Sequence, residues 1–289
     1  MENIFNSEFY SKLNTLRMSL AMSVAAGMSG GRKSNAKGNS VEFSDFREYR
    51  FGDDIRRIDW NAYGRFDKLF IKLFMEEKEG LFSIFIDSSK SMDFGEHNKA
   101  VCALRLAGAV SYIVLQNGDR LFINVMDNGN LIEYKSMAGI KAFSKVTQTL
   151  ESVSFSGNSG LFESVRHKDF KKRGTSFLIT DGYTEELEDA VKYLKFKNQD
   201  VVLIQVLSRE ELEPEFEGTV NLIDSETGLD MRMTMSSQTV RDYKKSLDNF
   251  LARTQAMCKK YSCTYIRAIS DESMESLLFG SLSKISTSN

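Results

Sequence analysis

Residues 84–95, IFIDSSKSMDFG, run apolar as far as Asp87 and then set Ser89 and Ser91 at alternate positions behind it. In an extended backbone entering a turn, residues at i, i+2 and i+4 face one side, so one carboxylate and two hydroxyls converge. These are hard oxygen donors, suited to Mg²⁺ or Mn²⁺ and ill suited to zinc. A second apolar run, FLITDG, ends at Asp181 before Gly182, and the loop FSGNSGLF (155–162) offers Ser159 as a further hydroxyl. Asp87, Ser89, Ser91, Ser159 and Asp181 therefore outline a divalent-metal site drawn from three loops. A plainer reading stands beside it: Asp and Ser after strands also cap helices and make turns, which leaves a metal-free scaffold.

Such a site needs strands whose ends lie side by side. LFSIFID (81–87), DRLFINVM (119–126), TSFLITD (175–181) and DVVLIQVLS (200–208) are near-continuous apolar runs, with helical patterns over 97–116, 140–153 and 185–197 between them. LIEYKSM (131–137) adds a strand after 119–126, and CTYIRAIS (263–270) supplies a last one. Buried strands alternating with helices predict a doubly wound, mostly parallel α/β sheet covered on both faces. Its ligands should sit at the carboxyl ends of the strands, where strand order reverses. Residues 218–235 interrupt the alternation with a β-hairpin insertion around SETG, followed by a long helix over 237–261 and a closing helix over 272–283.

Upstream, Ile4, Phe9, Leu13, Leu16, Leu20 and Val24 predict an amphipathic N-terminal helix, and GMSGGRKSNAKGNS (27–40) reads as a linker. The charged stretch 42–80 mixes Arg47, Arg50, Arg56, Arg57 and Arg65 with Asp45, Glu48, Asp53, Asp54 and Asp59. It reads equally as local ion pairs and as a polar surface offered to a partner. Trp60 is expected to be a buried packing anchor beside Ile58. KLFIKLFMEE (68–77) is expected to be a strand at a sheet edge or in a small appended layer. His97 and His167 are expected in solvent, as is the basic stretch HKDFKKR (167–173). The expected organisation is a region 1–80, of helix, linker and charged segment packed on the core, followed by an α/β domain over 81–289.

At 289 residues, with 42% apolar and 27% charged side chains, the chain has the make-up of a folded globular protein. Lys and Arg total 38 against 40 Asp and Glu, so no general field draws it to nucleic acid or anionic lipid. Cys102, Cys258 and Cys263 match neither a zinc cluster nor a disulfide framework, which points to a reducing, cytoplasmic setting. LAMSVAAGM (20–28) is too short to span a bilayer.

Asp87-x-Ser89-x-Ser91, taken with Thr180-Asp181-Gly182, resembles the metal-ion-dependent adhesion site of von Willebrand factor A domains. GNSVEFSDFREYRFGDDIRRIDW (38–60), SKSMDFG (89–95), GDR (118–120) and DSETG (224–228) are similar to the bacterial family called domain of unknown function 58. The resemblance covers roughly residues 30–270. It implies a von Willebrand factor A-like fold, a divalent ion held by Asp87, Ser89, Ser91 and Asp181, and association with MoxR-type AAA+ ATPases. Where that family usually has Gly-x-Thr in the third loop, this chain has Gly157-Asn158-Ser159, which keeps a hydroxyl.

A six-coordinate ion with only two protein carboxylates keeps room for water and for an incoming acidic group. The function expected on these grounds is a noncatalytic interaction module that docks a partner's acidic residue on Mg²⁺ or Mn²⁺. The alternative is a metal-dependent phosphatase or phosphotransferase using Asp87, although the second carboxylate such enzymes usually carry two residues on is replaced by Ser89. ATP hydrolysis by this chain is not expected, since it has no Gly-x-x-x-x-Gly-Lys-Ser/Thr sequence.

Overall fold

A computed structural model describes residues 4–15, 43–74, 79–214, 218–223, 230–273 and 276–277. The chain divides into two units, one of Met1–Ser29 with Gly80–Asn289, the other of Gly30–Glu79. Helix α1, residues 7–15, belongs to the larger unit, where Phe5, Phe9 and Leu13 are core residues. The rest of the expected N-terminal helix and the linker 27–40 lie outside the described residues.

In the smaller unit, β1 (Phe43–Glu48) pairs antiparallel with β2 (Phe70–Phe74). Helix α2 (Trp60–Phe66) lies between them in sequence. The strand foreseen over 68–77 is therefore part of a two-stranded sheet of its own. Trp60 corrects an expectation: it is 64% exposed, whereas Ile58 is buried. The cause is local. Asp59 caps α2 by accepting from the Asn61 and Ala62 amides, which makes Trp60 the first helical residue and separates it from Ile58. Its ring meets Tyr63 edge-on at 6.3 Å. Within the segment, Arg47 pairs with Asp53 at 2.8 Å and Arg56 with Asp54 at 3.0 Å.

The larger unit is built on a seven-stranded sheet. Its elements are β3 (Leu81–Asp87), α3 (Lys99–Gln116), β4 (Arg120–Asp127), β5 (Asn130–Glu133), β6 (Met137–Ala138), α4 (Phe143–Glu151), α5 (Leu161–Arg166), β7 (Gly174–Thr180), α6 (Leu187–Phe196), β8 (Gln199–Leu207), α7 (Arg209–Leu212), β9 (Gly218–Ile223), β10 (Asp230–Met235), α8 (Ser237–Lys260) and β11 (Thr264–Ile269). Strand order is β11-β8-β7-β3-β4-β5, with β6 also on β4. The pairs β11·β8, β8·β7, β7·β3 and β3·β4 are parallel. This is the doubly wound, mostly parallel α/β fold expected from the sequence, with antiparallel strands at one edge.

That edge departs from the single strand expected over 131–137. Asn128 and Gly129 both take positive φ, forming the two-residue hairpin loop that Asn-Gly favours, so β5 returns antiparallel beside β4. Strand β6 then resumes pairing further along β4. The hairpin insertion forms as β9 and β10, paired antiparallel; its SETG tip lies outside the described residues, as does most of the closing helix expected over 272–283.

Side chains alternate across the sheet and feed two cores. Ile84 and Ile86 face α3 and α4 together with α1, while Phe85 and Leu178 face α5, α6 and the end of α8. Among the described residues α3 is the one helix long and apolar enough to cross a membrane, and 72% of it is buried in this core. Gly108 lets α1 approach α3, since a Cβ there would lie 2.6 Å from the Phe5 ring. His97 and His167 are exposed, but Lys168, expected in a solvated basic loop, is buried. Its Nζ lies 2.7 Å from Glu133 Oε1 and 4.4 Å from the Phe122 ring centre.

Candidate metal centre

From β3 the sheet grows one way through β4 and β5, and the chain then crosses back to lay β7, β8 and β11 on the other side. Strand order therefore reverses between β3 and β7, which opens a crevice at their carboxyl ends. Asp87 is the last residue of β3, and Thr180, the last of β7, is followed by Asp181.

The chain turns sharply after Asp87. Residues Lys90–Met92 form one 3₁₀ turn, and Ser88 is held by hydrogen bonds from its amide and hydroxyl to the Met126 carbonyl. Backbone bonds Ser156 N to Ser88 O and Lys90 N to Gly157 O then tie this turn to the 155–162 loop. Asp87 Oδ1 accepts from the Ser89 amide at 3.0 Å. Its Oδ2 accepts from Thr180 Oγ1 at 2.6 Å and from Ser159 Oγ at 3.3 Å. Ser89 Oγ and Ser91 Oγ lie 3.1 Å apart. The structure thus brings Asp87 and Ser159 into direct contact and seats Ser89 and Ser91 beside them.

Asp181 is engaged differently. Its Oδ1 accepts from the Tyr183 amide at 3.1 Å, and its Oδ2 lies 3.0 Å from Lys99 Nζ. Lys99 is the first residue of α3 and is fully buried. The same ammonium reaches Glu211 Oε1 at 2.6 Å. Glu211 is fixed in turn by the capping box of α7, where Ser208 and Glu211 bond reciprocally. Gln205, itself held by Tyr265, donates to the Asp181 carbonyl. Two half-exposed rings, Phe94 and Tyr183, border the Lys99 ammonium, and Tyr183 stacks on Phe250 of α8.

Burial pushes the Asp87 carboxyl above the usual carboxylate range, and the charge of Asp181 adds to this against the hydrogen bonds from Thr180 and Ser89. Two buried carboxylates near enough to act on each other, one of them bonded by hydroxyls, are an environment that a small divalent cation relieves. Asp87, Ser89, Ser91, Ser159 and Thr180 offer the oxygen donors that Mg²⁺ or Mn²⁺ prefers, so the residues present fit such an ion. Among the described residues no cluster of three or more His, Cys, Asp or Glu side chains forms, and the donors in this crevice are mainly hydroxyls. Sequence reasoning passed over three residues here. Thr180 stood beside Asp181 in its motif, and Glu211 was marked by Ser208-x-x-Glu211, a capping-box spacing. Lys99 carried no signal, since a lysine at a helix start is ordinarily solvated.

Uncharacterized proteins of Mycobacterium bovis and Mycobacterium tuberculosis are each 22% identical to this chain over 204 residues, covering 66% of it. The chain spans 63% of the length of these relatives. Among solved structures it is similar to the conserved hypothetical protein BatB from Bacteroides thetaiotaomicron (TM-score 0.45, 17% identity, 72% of this chain and 100% of that one). It is also similar to an aerotolerance-related membrane protein from Bacteroides fragilis (0.43, 15%, 71% and 99%) and to the SpRpn10 VWA domain (0.39, 11%, 72% and 95%). Residues 45–249 match the family described as protein of unknown function DUF58, and the chain belongs to that family.

Proposed function

We propose that this chain is a noncatalytic interaction module that docks an acidic side chain of a protein partner on a divalent ion, Mg²⁺ or Mn²⁺, in the crevice between β3 and β7. The observation that carries this reading is the gathering of Asp87, Ser89, Ser91, Ser159 and Thr180 at the point of strand reversal. Asp87, Ser89, Ser91 and Ser159 would hold the ion, with Asp181 completing the protein's share. A bound ion there supplies an electrophilic docking point. The half-exposed rings of Phe94 and Tyr183 lie beside the Lys99 ammonium that holds Asp181, and suit an acidic residue flanked by apolar neighbours.

The partner we propose is a MoxR-type AAA+ ATPase acting on a client complex; family membership supports this. Three free cysteines accord with a reducing cytoplasm. A phosphatase role is disfavoured because Asp87 is almost wholly buried and Ser89 takes the position of the second acid.

One observation favours a metal-free scaffold instead: each oxygen of both carboxylates already accepts from the protein. Thermal unfolding of wild type and Asp87→Ala, titrated with Mg²⁺ and Mn²⁺ or held in chelator, separates the two. A saturable rise in melting temperature in wild type alone is the expected result, by preferential binding to the folded state. Equal, flat curves would leave the scaffold. With the host's MoxR-type ATPase added, a complex on size exclusion is expected in Mg²⁺ and lost in Asp87→Ala.

A further inference from the structure

We infer that Lys99 is a built-in competitor for the metal centre, a tethered cation that holds Asp181 and so keeps divalent-ion binding by the free protein weak. The inference rests on the metal-docking reading above and adds a determinant of its affinity.

Lys99 has no exposed surface, and its ammonium is shared between Asp181 at 3.0 Å and Glu211 at 2.6 Å. A buried lysine is costly to desolvate and persists only where it is paired. The pairing places a positive charge on the carboxylate that would otherwise face an incoming ion. One ammonium thus serves two carboxylates, Asp181 and Glu211, with the buried Asp87 carboxyl near Asp181. The ammonium and an incoming divalent ion contend for Asp181. A rigid frame fixes the contest: Asn98 caps α3 and sets Lys99 at its first position, while the capping box of α7 sets Glu211. Glu211 also draws the ammonium toward α7, which sets how firmly Lys99 holds Asp181.

Two substitutions then act in opposite directions. Lys99→Met removes the competitor, and its unbranched chain fits the buried path. Glu211→Gln keeps a residue compatible with the capping box but leaves Lys99 to Asp181 alone and removes one negative charge. The experiment titrates Mn²⁺ into wild type, Lys99→Met, Glu211→Gln and Asp87→Ala, by calorimetry and by the bound ion's relaxation effect on water protons. Lys99→Met is expected to lower the half-saturating Mn²⁺ concentration by about tenfold or more, and Glu211→Gln to raise it, as charges a few ångströms from an ionic site do. If Lys99→Met does not fold in chelator, Glu211→Gln, which keeps the capping box, stands as the independent arm. Unchanged midpoints in both variants, or a shift in the same direction, would overturn the role of Lys99 while leaving the metal centre intact. No Mn²⁺ binding in wild type or in either variant would overturn the metal reading itself. A purely structural Lys99 would alter stability without moving the Mn²⁺ midpoint.

Discussion

Lys99 and Lys168 are two buried lysines with opposite settings. Lys99 lies between two carboxylates, whereas Lys168 has a single, half-exposed partner in Glu133 and an aromatic ring beneath it. Burial holds the Lys168 ammonium below the usual lysine range, with Glu133 opposing. Over the interval between that value and the ordinary one near about 10.4, the unfolded chain binds more protons than the folded chain, so stability rises with pH there. Lys168→Met should abolish this alkaline rise, read as denaturant midpoints at successive pH values. Wild type and variant rising with the same slope would refute it. At this scale the sequence displayed Asp87, Ser89 and Ser91 through their period of two, and Asp181 through the end of an apolar run. Lys99 was hidden because its role depends on Asp181 and Glu211, 82 and 112 residues away.

Short elements position the longer ones. Gly160, the cap residue just before helix α5, is in left-handed conformation, and a Cβ there would collide with the backbone of Gly129 in the β4–β5 hairpin loop. The neighbouring Asn158 amide is held by Asn128 Oδ1 of the same hairpin. The loop that carries Ser159 therefore leans on the sheet edge. Gly160→Ala is expected to destabilise the protein by about 1–3 kcal/mol, from left-handed strain and overpacking together. Because Ser159 moves with its neighbour, Mn²⁺ affinity should fall as well; calorimetry of the variant at a temperature where it is folded checks this. Elements of this size escaped the sequence reading because α5 and α7 are too short to show a helical period. Strand β1 escaped because its pairing with β2 is set across an intervening helix rather than by its own pattern. The long buried strands and α3 were legible because continuous apolar runs and a helical period span their whole length.

At the scale of the molecule, the two units carry different reporters. Trp60, the only tryptophan, sits in the smaller unit and is largely exposed, while the larger unit holds the buried phenylalanines of both cores. Trp60 emission is expected to resemble that of the unfolded chain already in the native state, and to change little across the main transition followed by far-ultraviolet circular dichroism. A large blue-to-red shift coincident with that transition would show the indole buried in solution. Trp60→Ser should shift the denaturant midpoint by no more than about 0.5 kcal/mol equivalent, as surface substitutions do.

The hydrogen bond from Thr180 to Asp87 joins residues 93 positions apart, across the central strand pair β3·β7. Everything from β4 to α5 is threaded between them, so the crevice closes only after that loop-closure cost is met, and parallel pairing of such separation forms late in folding. A nascent chain that has left the ribosome only as far as Ser159 owns Asp87, Ser89, Ser91 and Ser159 yet lacks β7 and Asp181. On the proposed docking reading, such a chain would lack a competent docking point during synthesis, and a partner would engage only chains whose central sheet is complete.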